Sequence, residues 1–343
     1  MRHAESAHTP TSEPAKPHDA RLSLFSVAPM LDWTDRHCRY FLRLLSRRAT
    51  LYSEMVTTGA LIHGDAQRHL AFNDTEHPLV LQLGGSVPQE MAQCARMAQD
   101  WGYDEVNINV GCPSDRVQNN MIGACLMAHP ERVAECVDAM RQAVDIPVTV
   151  KHRIGINGRD SYQALVDFVG MVAEAGCEHF IVHARIAILE GLSPKENRHV
   201  PPLRYEVVQQ LKQEYPHLLM TLNGGIKTLD ECEEHLHTFE GVMLGREVYS
   251  NPWLLSEVDQ RLYQDSNSLA PTSRSEVMLK LRAYIEQQVA QGVKVTHITR
   301  HILGIAQGFP GARRFRQLLS ADIHRHENQL AVFDQAIEVL QGR

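Results

Sequence analysis

Short runs of aliphatic and β-branched residues alternate along the chain with longer segments whose apolar positions recur at helical spacing, the signature of alternating strands and helices. Eight such runs stand out, at residues 24–30, 50–55, 78–84, 105–111, 147–153, 179–185, 218–225 and 241–247. Most are apolar throughout, as strands covered on both faces should be. Helical stretches lie between them, among them 89–102, 130–144, 161–176 and 203–215. Eight strands with intervening helices over about 230 residues predict an α/β fold, a (β/α)8 TIM barrel. A doubly wound open sheet would be expected to carry a glycine-rich turn after its first strand. Here the first strand ends in Pro29-Met30-Leu31 with no GxGxxG, which favours the barrel.

The flanks read differently. Residues 1–20 are rich in Pro, Ser, Thr and His without apolar periodicity, so a disordered tail is expected there. The barrel is then assigned to 21–263, and the polar, proline-containing stretch 264–274 reads as a linker. Beyond it, 275–291, 296–308 and 327–340 have helical spacing and show no strand signal, so 275–343 are expected to form a small all-helical C-terminal domain.

Composition narrows the function. With 43% hydrophobic and 22% charged residues the chain is of ordinary globular make-up, which excludes disordered, collagen-like and low-complexity classes. No stretch approaches the roughly 18 apolar residues that span a bilayer, and the start of the chain lacks the apolar core of a signal peptide, so a soluble, cytoplasmic protein is expected. Cys38, Cys94, Cys112, Cys125, Cys136, Cys177 and Cys232 are scattered singly with no CxxC pair, which argues against disulfides and a structural metal. The net charge of −7 leaves no chain-wide basic surface for nucleic acid. Between residues 293 and 326, however, six basic residues (Lys294, Arg300, Arg313, Arg314, Arg316 and Arg325) face one acid, Asp322.

In a TIM barrel the chemistry gathers at the C-terminal ends of the strands, often with a phosphate held by the loops after strands seven and eight. Strand seven ends in Asn223, Gly224 and Gly225, and strand eight in Gly245 and Arg246. Either loop alone could be a tight turn; the pair, with a guanidinium, points to a phosphorylated ligand or cofactor. Other strand ends offer Gln82, Asn109, Cys112, Lys151, Arg153, His183 and Arg185, a set suited to a neutral, hydrogen-bonding ring. Lys151 could stabilise negative charge on such a ring or snorkel to solvent, and His183 could equally be a satisfied core histidine. The lack of carboxylates at most strand ends argues against metal-enolate and two-carboxylate hydrolase chemistry. Cys112, on the tight Gly111-Cys112-Pro113 loop, is a candidate general acid, and Cys125 is its one competitor.

Taken together, Ala28-Pro29-Met30, Gln82-Leu83-Gly84-Gly85, Asn107-Ile108-Asn109-Val110-Gly111-Cys112-Pro113-Ser114, Val150-Lys151-His152-Arg153, His183-Ala184-Arg185, Asn223-Gly224-Gly225-Ile226 and Gly245-Arg246 resemble the motif set of the tRNA-dihydrouridine synthases. The stretch Gly191 through Arg198 and the segment Pro310-Gly311-Ala312-Arg313 resemble the bacterial A subfamily, which acts on D-loop uridines at positions 20 and 20a. Asn120 and Met121 depart from the pattern, standing where glycine and an aromatic residue are expected.

The resemblance implies an FMN-containing barrel, NADPH as reductant and a C-terminal helical domain that binds tRNA. It places Pro29, Met30 and Leu31 under the flavin ring, Gln82 at its pyrimidine edge, Lys151 beside N1 and the C2 carbonyl, and His183 near ring and phosphate. Asn223, Gly224, Gly225, Gly245 and Arg246 would hold the phosphate, Asn109 would orient the uracil, and Cys112 would protonate C5 while flavin N5 delivers a hydride to C6. The target base must leave its stack to reach the flavin. Arg313, Arg314 and Arg316, with Lys294 and Arg300, would grip the RNA backbone from the helical domain, and Lys195 and Arg198 from the barrel. No protein partner is implied, and a monomer is the simplest expectation. Two further readings stand beside this one. The first is a flavin barrel reducing a free small molecule, which leaves the basic helical domain without a purpose. The second is an RNA-binding protein without redox chemistry.

Overall fold

The computed structural model describes residues 24–114, 121–265 and 271–342; the expected N-terminal tail, Asn120 and part of the expected linker lie outside them. Eight strands form a closed, all-parallel barrel: β1 (Phe25–Val27), β2 (Thr50–Thr57), β3 (Leu79–Gly84), β4 (Glu105–Val110), β5 (Val148–Arg153), β6 (His179–His183), β7 (Leu219–Asn223) and β8 (Gly241–Leu244). Each pairs with its successor, and β8 returns to β1 with Ser26 opposite Met243. The chain is thus a TIM barrel with helices at its C-terminus.

The apolar runs overshoot the strands, for local reasons. In 24–30 the ladder stops at Val27: Pro29 has no N–H to donate, and the Met30 carbonyl accepts from Trp33 and Thr34 in a turn. In 218–225 it stops at Asn223 because Gly224 and Gly225 take φ of 114° and 80°, left-handed values foreign to a strand. In 241–247 it stops at Leu244, and Arg246 opens a short helix, Arg246–Ser250. β2 instead runs past its expected end to Thr57, with a register shift between Tyr52 and Met55.

Alternation along the strands separates two cores. Outward side chains such as Leu79, Leu81, Leu83, Val106, Ile108, Val148 and Val150 are buried in one large apolar cluster shared with the surrounding helices. Among the described residues the lumen holds a small apolar group, Ala28, Tyr52, Val80, Ile181 and Met243. The rest of it is polar and buried: Gln82, Glu105, Asn107, Asn109, Thr149 and Thr221.

After the barrel come helices Arg274–Ala290, Val295–Thr299, Ala312–Ser320 and Gln329–Leu340. The helix expected over 296–308 is interrupted: a 3-10 turn, Leu303–Ala306, follows Val295–Thr299. Gly304 lies there against barrel backbone, and a Cβ on it would sit 2.5 Å from the Ser250 carbonyl oxygen. These helices share the barrel's apolar cluster. Polar contacts fix them further. Asp35 caps helix Arg36–Arg43 by accepting from the His37 and Cys38 amides and also pairs with Arg300 at 2.8 Å and His301 at 3.0 Å. Tyr284 stacks on Tyr40 at 3.8 Å between ring centroids and hydrogen-bonds His37 Nδ1 at 2.7 Å.

Burial pushes the Asp35 carboxyl up, but hydrogen bonding and charge from His301, the Cys38 amide and Arg300 together hold it well below the usual carboxylate range. A depressed carboxylate contributes stability that is present above its unfolded pKa of about 4 and lost as the pH falls through its folded value. Asp35→Asn should therefore cost about 2–4 kcal/mol of unfolding free energy at neutral pH, with the gap to the parent narrowing below about pH 4 in denaturant titrations.

Candidate active site

The C-terminal ends of the strands carry the expected residues in register. Asn109 on β4 stands opposite Lys151 on β5, Arg153 opposite His183 on β6, and His183 opposite Asn223 on β7. Gln82, on β3, is opposite Asn107. Because all of these point to one side of a parallel ladder, the fold brings Gln82, Asn109, Lys151, His183 and Asn223 to one end of the lumen. The turn after β1 closes another side of the mouth. There Met30 Sδ lies close to Gly245, where an added Cβ would meet it at 3.4 Å, and Leu31 is 67% exposed. Pro29 and Met30 are half-buried.

Cys112, half-buried, follows β4. Its N–H and that of Gly111 donate to Asn109 Oδ1 at 3.0 and 3.1 Å, and its carbonyl accepts from the Ala124 amide at 2.9 Å. Cys125 lies within the 3-10 turn Gly123–Ala128 that follows, with its thiol 3.2 Å from the Ile122 carbonyl and its pKa pushed up by burial. Met121 takes a φ of 52° and is 41% exposed, so the departure noted in the sequence falls on a left-handed position at the surface.

The charge distribution is one-sided. Lys151, Arg153, His183, Arg185, Arg198 and Arg246 converge at the ends of β5 to β8, and none of them pairs with a carboxylate among the described residues. Burial, then the neighbouring Arg153, pushes the Lys151 ammonium down to about 7 against a smaller opposing pull from Cys112. Burial, then Arg153, Lys151, Arg185 and Arg246, drives His183 well below the ordinary imidazole range and keeps its ring neutral.

Arg153 uses its guanidinium differently from the way the strand-end pattern suggested. It donates to the carbonyls of Gly111 at 2.9 Å, Ile186 at 2.9 Å and Asn197 at 3.0 Å, tying three loops together. Arg185 donates to the carbonyls of Pro201 and His199, and Arg246 reaches His199 and the Arg198 carbonyl. Asn197, fully buried, pins its own loop through Ile188, Leu192 and Ser193, while Lys195 and Arg198 stay exposed. Sequence reasoning missed Asn197, His199, Asn107, Thr149 and Glu105. Asn197 and Asn107 lie in motif segments and His199 directly after one, but only tertiary contacts reveal their partners.

This donor set suits an anionic, planar cofactor. Gly224 and Gly225 leave room that a side chain would fill, since a Cβ on Gly224 would sit 2.6 Å from His183 Cδ2. The Lys151 ammonium makes no hydrogen bond or ion pair among the described residues. Arg313 and Arg316 are exposed on helix Ala312–Ser320, within the C-terminal bundle and not at the strand ends, whereas Arg314 pairs with Asp322 at 2.8 Å.

The family model described as dihydrouridine synthase (Dus) matches residues 26–341. The chain belongs to the dihydrouridine synthase family. It is 67% identical over 341 residues, 99% of this chain and 98% of the relative, to a tRNA-dihydrouridine(20/20a) synthase of Pseudomonas putida. A Pseudomonas aeruginosa protein of the same name is 67% identical over 97% of this chain and 99% of its own length. One from Salmonella typhi is 56% identical over 93% and 96%. Among solved structures, a 2-naphthoyl-CoA reductase complex aligns with a TM-score of 0.51 at 12% identity, over 69% of this chain and 50% of its own; it supports the barrel fold alone. As a family member the protein is an oxidoreductase.

A lysine whose folded pKa is lowered opposes folding wherever the unfolded side chain is charged, most fully below about pH 7 and less as the pH nears 10.4. In this dihydrouridine synthase, Lys151→Met should raise the unfolding free energy by about 1–2 kcal/mol near pH 6, with the gain fading toward about pH 10 in denaturant titrations.

Proposed function

We propose that the protein is an FMN-dependent, NADPH-driven synthase that reduces the C5=C6 bond of D-loop uridines at positions 20 and 20a of tRNA to 5,6-dihydrouridine. The observation that carries this reading is the cluster of basic side chains at the ends of β5 to β8, none paired with a carboxylate among the described residues, beside a half-buried thiol. The shared name of the relatives at 56–67% identity supports the substrate and the two positions. The work is assigned to the cytoplasm, to a monomer; no described helix is long and apolar enough to cross a membrane.

Pro29, Met30, Leu31, Gln82, Lys151, His183, Asn223, Gly224, Gly225, Gly245 and Arg246 would hold FMN, which when reduced supplies the hydride for C6 of the uracil. Lys151, regaining its proton as an anion arrives, would sit against negative charge on the ring and its C2 carbonyl. The amides of Gly224 and Gly225 and the Arg246 guanidinium suit a phosphate. Asn109 orients the uracil. Cys112 gives its proton to C5 as a general acid, held in place by the bonds its backbone makes to Asn109 and Ala124. Arg313 and Arg316 on the bundle, and Lys195 and Arg198 on the barrel, bind the RNA backbone while the target base is turned out into the mouth.

In a single-turnover assay with FMN-loaded protein, NADPH and unmodified tRNA, nucleoside mass should shift to dihydrouridine on tRNA and not on free uridine. Product from a free pyrimidine alone would move the assignment to a small-molecule reductase, and product from neither, with a colourless protein, to an RNA-binding role. Cys112→Ala should keep FMN and NADPH oxidation yet lose product by at least about a hundredfold, whereas Cys125→Ala should stay near the parent; the reverse result would assign the acid to Cys125. Arg313→Ala should weaken tRNA binding and lower the slope of log affinity against log salt by about one.

A further inference from the structure

A single hydrogen-bonded chain runs through the lumen from the Cys112 loop to a buried carboxyl. Cys112 and Gly111 N–H donate to Asn109 Oδ1 at 3.0 and 3.1 Å. Asn109 Nδ2 donates to Gln82 Oε1 at 2.7 Å, and Gln82 Nε2 to Asn107 Oδ1 at 2.8 Å. Asn107 Nδ2 donates to Thr149 Oγ1 at 2.9 Å, and the Thr149 hydroxyl to Glu105 Oε1 at 2.5 Å. The Tyr52 hydroxyl also reaches that carboxyl, at 3.4 Å. Glu105, Asn107, Asn109, Gln82 and Thr149 are all buried, and no lysine or arginine pairs with Glu105 among the described residues.

Every bond in this chain points the same way. At the mouth, two backbone N–H groups can only donate, so Asn109 must turn its oxygen toward them. At the far end the ionised Glu105 carboxyl offers only acceptors, so Thr149 then gives its proton downward and receives from Asn107. Both ends thus impose the same orientation on the three amides between them, and each bond polarises the next. Gln82 and Asn109, the two amides facing the ring and the uracil in the functional reading, therefore cannot choose their own orientation. It is fixed from both ends, by the loop N–H groups at the mouth and by Thr149 and Glu105 below, which do not reach the mouth.

We propose that Glu105, Thr149 and Asn107 are positioning residues that orient the Gln82 and Asn109 amides and, through Asn109, hold the Cys112 loop in its reactive geometry. The proposal rests on the assignment of Gln82, Asn109 and Cys112 under the proposed function. It does not follow from the family motif alone, because Thr149 and Glu105 stand outside the residues carried over.

Thr149→Val preserves the shape of the side chain and removes its hydroxyl, leaving an Asn107 donor and a Glu105 acceptor without their link; Thr149→Ser keeps the hydroxyl. Two readouts separate positioning from stability. The first is transfer to tRNA from pre-reduced, FMN-loaded enzyme in a single turnover. The second needs no cofactor: the rate at which iodoacetamide alkylates Cys112, mapped by peptide mass spectrometry with Cys125 as the internal reference. Thr149→Val should slow transfer by about tenfold or more and change the ratio of Cys112 to Cys125 alkylation by about threefold or more, with tRNA affinity unchanged. Thr149→Ser should stay within about twofold of the parent on both. A Thr149→Val protein that matches the parent on both, or that only melts at a lower temperature, overturns the proposal. A parent protein that binds no flavin and makes no dihydrouridine overturns the functional reading instead, and the alkylation ratio still decides whether the chain positions the loop.

Discussion

Repulsion among the cations at one end of the barrel is the constraint around which the rest is arranged. Lys151, Arg153 and His183 are drawn together by strand register, Arg185, Arg198 and Arg246 join them from the segments that follow, and none pairs with a carboxylate among the described residues. The fold manages part of this by spending charge on structure. Arg153 satisfies itself on three backbone carbonyls and so fastens the loops after β4 and β6. Burial and its neighbours keep His183 neutral. What remains is Lys151, poised near neutrality by burial, with the guanidinium of Arg198 and the part of Arg246 not turned to His199. Under the proposed function an anion entering this site raises the lysine pKa, so that ligand and proton bind together. The left-handed glycines of the β7 loop let the backbone pack close to His183 and Leu203, where a side chain would not fit.

The lumen poses the opposite problem. An apolar filling is the common solution for a barrel of eight strands, with layers of branched side chains. Here, among the described residues, a small apolar group shares it with amides, hydroxyls and Glu105, whose carboxyl burial pushes up to about 7. Buried polar groups destabilise unless they are paired, and a fully paired network fixes one arrangement. The polar lumen gives up some packing stability and gains a single orientation for the amides that face the site.

How much of this is legible in the sequence depends on whether the cause is local. The eight strands and the glycine loops at 223–225 and 245–246 are written in neighbouring residues, and the barrel follows from their count. Strand ends are less legible, because Pro29 and Gly224 end the ladder by backbone geometry that an apolar run hides. The helix expected at 296–308 broke for a tertiary reason, the close approach of Gly304 to the Ser250 carbonyl. Helix Ala312–Ser320 escaped notice because only Phe315, Leu318 and Leu319 are buried on it and arginines occupy its outer face. The lumen chain is the least legible part. Its alternation in β4 shows that Glu105, Asn107 and Asn109 share a face, but not that Thr149 and Gln82 complete the links.

Asp35 joins the two halves of the molecule at a telling place. It lies five residues after Met30, so the turn that floors the mouth leads directly into the helix Asp35 caps, and the same carboxylate holds Arg300 and His301 of the C-terminal helices. Tyr284 on Tyr40 and Gly304 on Ser250 add contacts on the same side. A continuous apolar core and buried polar ties leave little freedom between the bundle and the barrel. The arginine face of Ala312–Ser320 and the mouth thus sit on one packed unit, which sets the length between them. A substrate gripped at both must match that length, so under the proposed function the choice of uridine is made by where the RNA backbone sits on the bundle as well as by the chemistry of the base.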